Sequence, residues 1–182
     1  DILINNAGLG HFGPVDELAV DRFDEMLAVN LRGAFLCTRA FVPAMKTQGG
    51  GAIVNVASVA GLVGNPNLSG YNATKFGLRG FGLSLRQDLE EYGIGVTVVE
   101  PGFIRDAGMF ANNDVELPRG VRTKSPADVA QAVEKAIRTN PAEIFVAPTE
   151  LRAVATLATV APGLSEVIQR RVGTREMRNG NG

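Results

Sequence analysis

Four short runs of apolar, β-branched residues, spaced by stretches of helix length, constrain this chain more than any other feature. They lie at residues 1–5, 51–56, 95–100 and 143–146. None alternates apolar with polar residues as a half-exposed strand does, so each suits a parallel strand buried on both faces. Helical patterns fill the intervals. Asp21 is expected to cap the first helix, with Asp24 three residues later closing a capping box. Phe23, Leu27, Leu31, Ala34 and Ala40 carry that helix to about Met45, with a bend at Pro43. The next helix starts near Tyr71; Leu78, Phe81, Leu85, Leu89 and Tyr92 form one stripe, and Gly93 stops it. Gly77, Gly80 and Gly82 each cost that helix about 1 kcal/mol relative to alanine. They are expected to admit a second helix, from this chain or from another subunit. A third helix opens on Ser125-Pro126-Ala127-Asp128, a capping box with proline in the first turn, continues through Val129, Val133, Ala136 and Ile137, and ends at Asn140-Pro141. Strand alternating with helix predicts an α/β fold, a doubly wound parallel sheet of Rossmann-like type, over residues 1–150.

A sheet of this kind ordinarily carries a glycine-rich phosphate turn after its first strand. Gly8-Leu9-Gly10 lacks the third glycine and runs into Phe12-Gly13-Pro14, and the glycines at 49–51 precede a strand. The expectation is a chain lacking the first βαβαβ half, roughly 60 to 90 residues, and inactive alone. Residues 103–124 show no period and include Gly108, Met109, Asn112, Asn113, Pro118 and Gly120, which suits a lid or binding loop. Phe103, Met109 and Phe110 would form one apolar wall of a substrate space, and Val59, Leu62, Val63 and Pro66 another. His11, the one histidine, is open to two readings: a substrate contact or an exposed loop residue. Residues 151–174 read as a helical extension, with Leu151, Val154, Ala155, Leu157, Ala158 and Val160 on its apolar side and a break at Pro162-Gly163. It covers the core, joins subunits, or lies on a membrane surface, the last resting on Arg152, Arg170, Arg171 and Arg175; packing within or between subunits is the stronger reading. Residues 175–182 read as a disordered tail.

Composition removes several classes. A net charge of −1 gives no basic field for nucleic acid. No run of 18 apolar residues marks a membrane span, and no metal is expected. One cysteine, Cys37, cannot form an internal disulfide, which fits a reducing, cytoplasmic setting; in its apolar helical stretch it reads as a buried thiol.

The chemistry resides in Tyr71-Asn72-Ala73-Thr74-Lys75. Residues four apart on a helix share a face. A phenol with a pKa of about 10 is a poor proton shuttle at neutral pH; an ammonium beside it favours the phenolate and lowers that pKa. A tyrosine tuned so exchanges a proton as carbonyl becomes alcohol, or the reverse. Taken alone, the spacing also fits a solvated lysine beside a partly packed aromatic. Ser58 follows the second strand, 13 positions earlier (71 − 58), where open α/β sheets bind ligands. Its hydroxyl can polarise a substrate oxygen, or simply serve a strand-loop turn. Asn5-Asn6-Ala7-Gly8 ends the first strand. Asn30, polar within an apolar helix face, either holds a water leading to Lys75 or packs between elements.

Together these residues, with Pro101-Gly102, resemble the single-domain branch of the short-chain dehydrogenase/reductase family, in order and spacing, over about residues 1–150. The resemblance implies NAD or NADP as cofactor, a small-molecule alcohol or ketone substrate, taken as hydrophobic from the apolar walls, and a dimer or tetramer. It implies Tyr71 as general acid/base and Lys75 as its tuner and a ligand of the nicotinamide ribose. Ser58 would orient the carbonyl, and Asn30 would hold the relay water. Asn6, Ala7 and Gly8 would lie along the adenosine side, and Pro101, Gly102 and Ile104 near the nicotinamide. One departure is Asp106, where the family often has threonine: a carboxylate cannot donate that hydrogen bond unless protonated, and its charge would repel phosphates unless Arg105 offsets it. NAD and NADP stay undivided, because the deciding residue follows a strand outside this stretch. Two other readings are a non-catalytic fragment or structural homologue, which has no need of the four side chains together, and a sugar-nucleotide epimerase or dehydratase, which needs a larger C-terminal domain.

Overall fold

The computed structural model describes residues 1–106 and 122–172, apart from the side chains of 168–172. The lid residues Gly108, Met109, Phe110, Asn112, Asn113, Pro118 and Gly120, the side chains of Arg170 and Arg171, and the tail with Arg175 lie outside the described residues.

The four apolar runs become β1 (Ile2–Asn5), β2 (Gly51–Val56), β3 (Ile94–Pro101) and β4 (Glu143–Val146). They pair in parallel in the order β1-β2-β3-β4, with Leu3 opposite Ile53, Ile53 opposite Val96, and Val99 opposite Ile144. Side chains alternate across the sheet. Ile53, Val96 and Val98 point to the face packed by α2 (Ala34–Gln48) and α3 (Ser69–Leu89), against Met45, Leu78 and Leu89. Val54, Val99 and Val146 point to the other face, covered by α4 (Pro126–Thr139) through Ala132 and Ala136. Helices on both faces of a parallel sheet are the doubly wound arrangement the alternation predicts, and the capping box at Ser125 and Asp128 forms as expected.

Several local expectations change. α1 (Val20–Leu27) is capped at Ala19, without a side-chain bond. Asp21 lies inside the first turn, where its carboxylate accepts from the Arg22 amide and faces the positive helix end. The helical run goes three residues past the expected end at Met45: α2 contains Pro43, continues to Gln48 and stops at Gly49 in the left-handed conformation, and a π-helical segment, Ala28–Gly33, lies between α1 and α2. The α3 glycines divide. A β-carbon on Gly82 would stand 2.6 Å from Val98 Cγ2, so this glycine admits the sheet, not a helix; one on Gly77 would meet Leu31 of the π segment, and one on Gly80 would meet nothing. Cys37 is exposed, because Ala34, Thr38 and Met45 take the inner face of α2.

α5 (Thr149–Val160) lies over the end of the sheet, and α6 (Pro162–Val172) follows. Ala155 and Ala158 pack on Phe145 and on Leu62 and Val63, which fill the core instead of lining a substrate wall. α5 therefore covers the core, one of the roles open to residues 151–174.

Candidate active site

Because all four strands run in parallel, their carboxyl ends share one edge, where Asn6, Ser58, Gly102 and Ala147 leave the sheet. Two small residues bring α3 to that edge. A β-carbon on Gly70 would stand 2.7 Å from Met26 Cε, which lets the start of α3 press against α1. One on Gly61 would stand 2.9 Å from the Lys75 carbonyl oxygen, so the turn after β2 sits directly on the backbone of α3.

Ser58 is extended and caps the short 3₁₀ turn Val59–Gly61: its Oγ accepts from the Ala60 amide at 3.1 Å and donates to the Pro101 carbonyl at 3.4 Å. Tyr71 stands in the first turn of α3, its ring edge-on to Phe12 at 5.8 Å. Burial pushes the phenol up from its ordinary pKa; a hydrogen bond with the Ser58 side chain pulls it back, and the Glu100 charge pushes it up again. This corrects the expectation that Lys75 lowers it. The ammonium of Lys75 donates to the Val56 carbonyl at 3.2 Å and lies 5.7 Å from the phenol ring centre. It is itself brought down to about 8 by burial, against the upward pull of Glu100.

Asn30 lies in the π segment, almost wholly buried. Its Oδ1 accepts from the Leu9 amide at 2.8 Å, and its Nδ2 donates to the Leu9 carbonyl at 2.8 Å and to Thr74 Oγ1 at 3.0 Å. Both amide hydrogens are thus taken, and the side chain clamps the strand-end loop to α3, as the packing reading requires. Asn6, Ala7 and Gly8 are exposed above it. A β-carbon on Gly8 would stand 3.3 Å from Lys75 Nζ and 3.5 Å from Asn30 Oδ1.

At the end of β3, the Gly102 amide donates to the Val146 carbonyl at 3.0 Å, and a β-carbon on Gly102 would meet Leu151 Cδ2 of α5 at 2.9 Å. Ile104 bridges Lys124. Asp106 is exposed with φ 70 and pairs with Arg105 Nε at 3.2 Å, so the neighbouring arginine does offset its charge. His11 pairs with Glu25 at 2.8 Å, on the loop side.

The sequence reading missed Glu100. It is fully buried; Oε2 accepts from the Ser58 amide at 3.0 Å, and Oε1 has no hydrogen-bond partner. Burial raises it to about 8; the Ser58 amide, Arg79 and Lys75 oppose the rise, and Glu143 adds to it. The available signal was a carboxylate ending an otherwise apolar strand run.

A family model described as short chain dehydrogenase matches residues 1–117. The chain is 41% identical over 131 residues to an uncharacterized oxidoreductase of Thermotoga maritima, covering 69% of this chain and 52% of that protein. It thus spans about half the length of the curated relatives it matches. Among solved structures it resembles a gluconate 5-dehydrogenase from Burkholderia cenocepacia in complex with NADP and tartrate (TM-score 0.71, 25% identity, 84% of this chain and 65% of that one). It also resembles a 3-ketoacyl-(acyl-carrier-protein) reductase from Brucella melitensis complexed with NADH (TM-score 0.71, 28% identity, 80% and 66%).

Proposed function

Because the chain belongs to the short-chain dehydrogenase/reductase family, we propose that the full protein is an oxidoreductase moving hydride between NAD or NADP and an alcohol or ketone, with Tyr71 as general acid/base. The observation that carries this reading is the meeting of Tyr71, Ser58 and Lys75 at the carboxyl edge of a parallel sheet: the Lys75 ammonium lies 5.7 Å from the Tyr71 ring centre, and Ser58 is near enough to the phenol to pull its pKa down. Relatives of known structure that bind NADP or NADH support the cofactor.

The residues present fit such a group. An ammonium carries three donors, and the Val56 carbonyl is the acceptor that Lys75 finds among the described residues. The space beside its Nζ is kept open by the missing side chain of Gly8. Lys75 would hold the ribose hydroxyls there, Asn6, Ala7 and Gly8 the adenosine side, and Pro101, Gly102 and Ile104 the nicotinamide side. The bound nicotinamide supplies or accepts the hydride.

The protein's part is proton transfer and positioning. Held above its ordinary pKa, the Tyr71 phenol is protonated at neutral pH and can donate to a carbonyl oxygen as charge develops there. Ser58 Oγ donates to the same oxygen. Asn30 acts by fixing Leu9 and α3, and so the lysine. The half-exposed Phe12, edge-on to the phenol, offers an apolar contact to a hydrophobic substrate. The protein works as a homo-oligomer.

Turnover of the full-length protein tests the reading. Tyr71→Phe should lower kcat by about 10²- to 10⁴-fold, the usual contribution of a positioned acid/base, while nucleotide binding, read by calorimetry, stays close to wild type. A variant that turns over near the normal rate overturns the mechanism.

A further inference from the structure

Glu100 is a buried carboxyl to which the resemblance gives no part. It sits one residue before the end of β3, wholly shielded from solvent. The groups around it come from three elements: Ser58 from the turn after β2, Lys75 and Arg79 from α3, with Tyr71 feeling its charge, and Glu143 from β4. Arg79 is shared unequally. Its Nε lies 2.6 Å from Glu143 and its second nitrogen 3.2 Å, a two-pronged grip, whereas Glu100 Oε1 is left at 3.8 Å and without a hydrogen bond. A half-exposed carboxylate therefore takes the cation, and the fully buried one keeps a single firm contact, the Ser58 amide at 3.0 Å.

That contact lies where the sheet lets go of the chain. The last ladder bond is the Ala57 amide to the Val99 carbonyl at 2.8 Å; the next residue is Ser58, whose hydroxyl reaches the Pro101 carbonyl only at 3.4 Å. The amide of the serine is thus held by Glu100, while its carbonyl accepts from the Gly61 amide at 2.8 Å and its hydroxyl from the Ala60 amide at 3.1 Å within the turn that follows; Glu100 is the tie between that turn and β3 on the amide side. An ionised carboxyl holds an amide more tightly than a neutral one.

We propose that Glu100 is a positioning residue: its carboxyl fixes the Ser58 amide, and with it the hydroxyl facing Tyr71. This rests on the reading of Ser58 and Tyr71 as the groups acting on the carbonyl.

The test uses Glu100→Gln, which keeps an oxygen for the amide and removes the charge, and Glu100→Leu, which removes both, in the full-length protein. Glu100→Leu should lower kcat by about tenfold or more with KM for the nucleotide within about threefold, the pattern of a lost transition-state contact. Glu100→Gln should restore kcat to within about threefold. An independent arm follows the Ser58 amide by nitrogen-15 NMR without substrate: its shift should titrate around the value of about 8 in wild type and move much less in Glu100→Gln, where Lys75 alone still titrates in that range. A Ser58 shift that is flat in wild type, or moves equally in the glutamine variant, overturns the proposal, as does a folded Glu100→Leu with wild-type kcat. Should Glu100→Leu fail to fold, the glutamine variant and the amide titration decide. If wild type turns over no alcohol or ketone, the oxidoreductase reading fails, while the amide titration still decides whether Glu100 holds Ser58.

Discussion

Two buried groups of opposite charge, Lys75 and Glu100, are each shifted by burial to about 8, and the consequence for stability has a definite sign. Glu100 is raised, so between its unfolded value near 4.5 and about 8 the folded chain keeps a proton that the unfolded chain has lost; stability falls with pH there. Lys75 is lowered from 10.5, so between about 8 and 10.5 the unfolded chain holds the extra proton, and stability rises with pH. The two limbs meet in a minimum near pH 8, each with a slope of at most about 1.4 kcal/mol per pH unit. Urea midpoints across this range should show it. Glu100→Gln should remove the descending limb and Lys75→Met the ascending one; parallel curves for wild type and both variants would contradict the burial described here. Of this site, Tyr71, Lys75, Ser58 and Asn30 were legible in the sequence because each breaks a pattern or completes a spacing. Glu100 was passed over as the polar end of a strand. That it turns inward depends on the phase of the strand against α3, which arises only once the elements are packed.

The elements were read correctly wherever periodicity and local chemistry agree. The four strands fall within a residue or so of the apolar runs, and Ser125 with Asp128 caps α4 as the motif requires. Asp21 misled because an acid suits both the cap and the first turn, and the π segment carried no local signal that separates it from an α-helix. The α3 glycines show the same limit: identical residues on one helix, with different neighbours. Gly82→Ala should destabilise by about 1–3 kcal/mol, since its β-carbon would press on Val98 Cγ2 at 2.6 Å. Gly80→Ala meets open space and should stabilise by about 0.4–1 kcal/mol, through the unfolded state and helix propensity. Thermal or urea melts of the two variants should move in opposite directions. A pair that moves together would place Gly82 away from the sheet.

At the scale of the molecule, the core lies between β2, β3 and the helices on either side, and among the described residues several large apolar side chains stay exposed on one pair of helices. α2 exposes Phe35, Leu36 and Phe41 at 46%, 40% and 50%, and α3 exposes Phe76 at 44%. Single exposed apolar residues need no explanation, but several large ones on two helices of the same sheet face mark that face for association. These helices are the candidate for joining copies of this chain, because a helix face can meet its own two-fold image without rearrangement. The exposure of α2 also explains why Cys37 escaped a reading based on composition, since an apolar helix stretch looks the same whether it faces a core or a partner. Phe35 meets Phe81 of α3 edge-on, whereas Phe41 is half exposed; Phe41→Glu is therefore the substitution to use against association. Sedimentation velocity of the full-length protein should give an oligomer for wild type and a lighter species for Phe41→Glu. An unchanged mass for Phe41→Glu would remove this part of α2 from the interface.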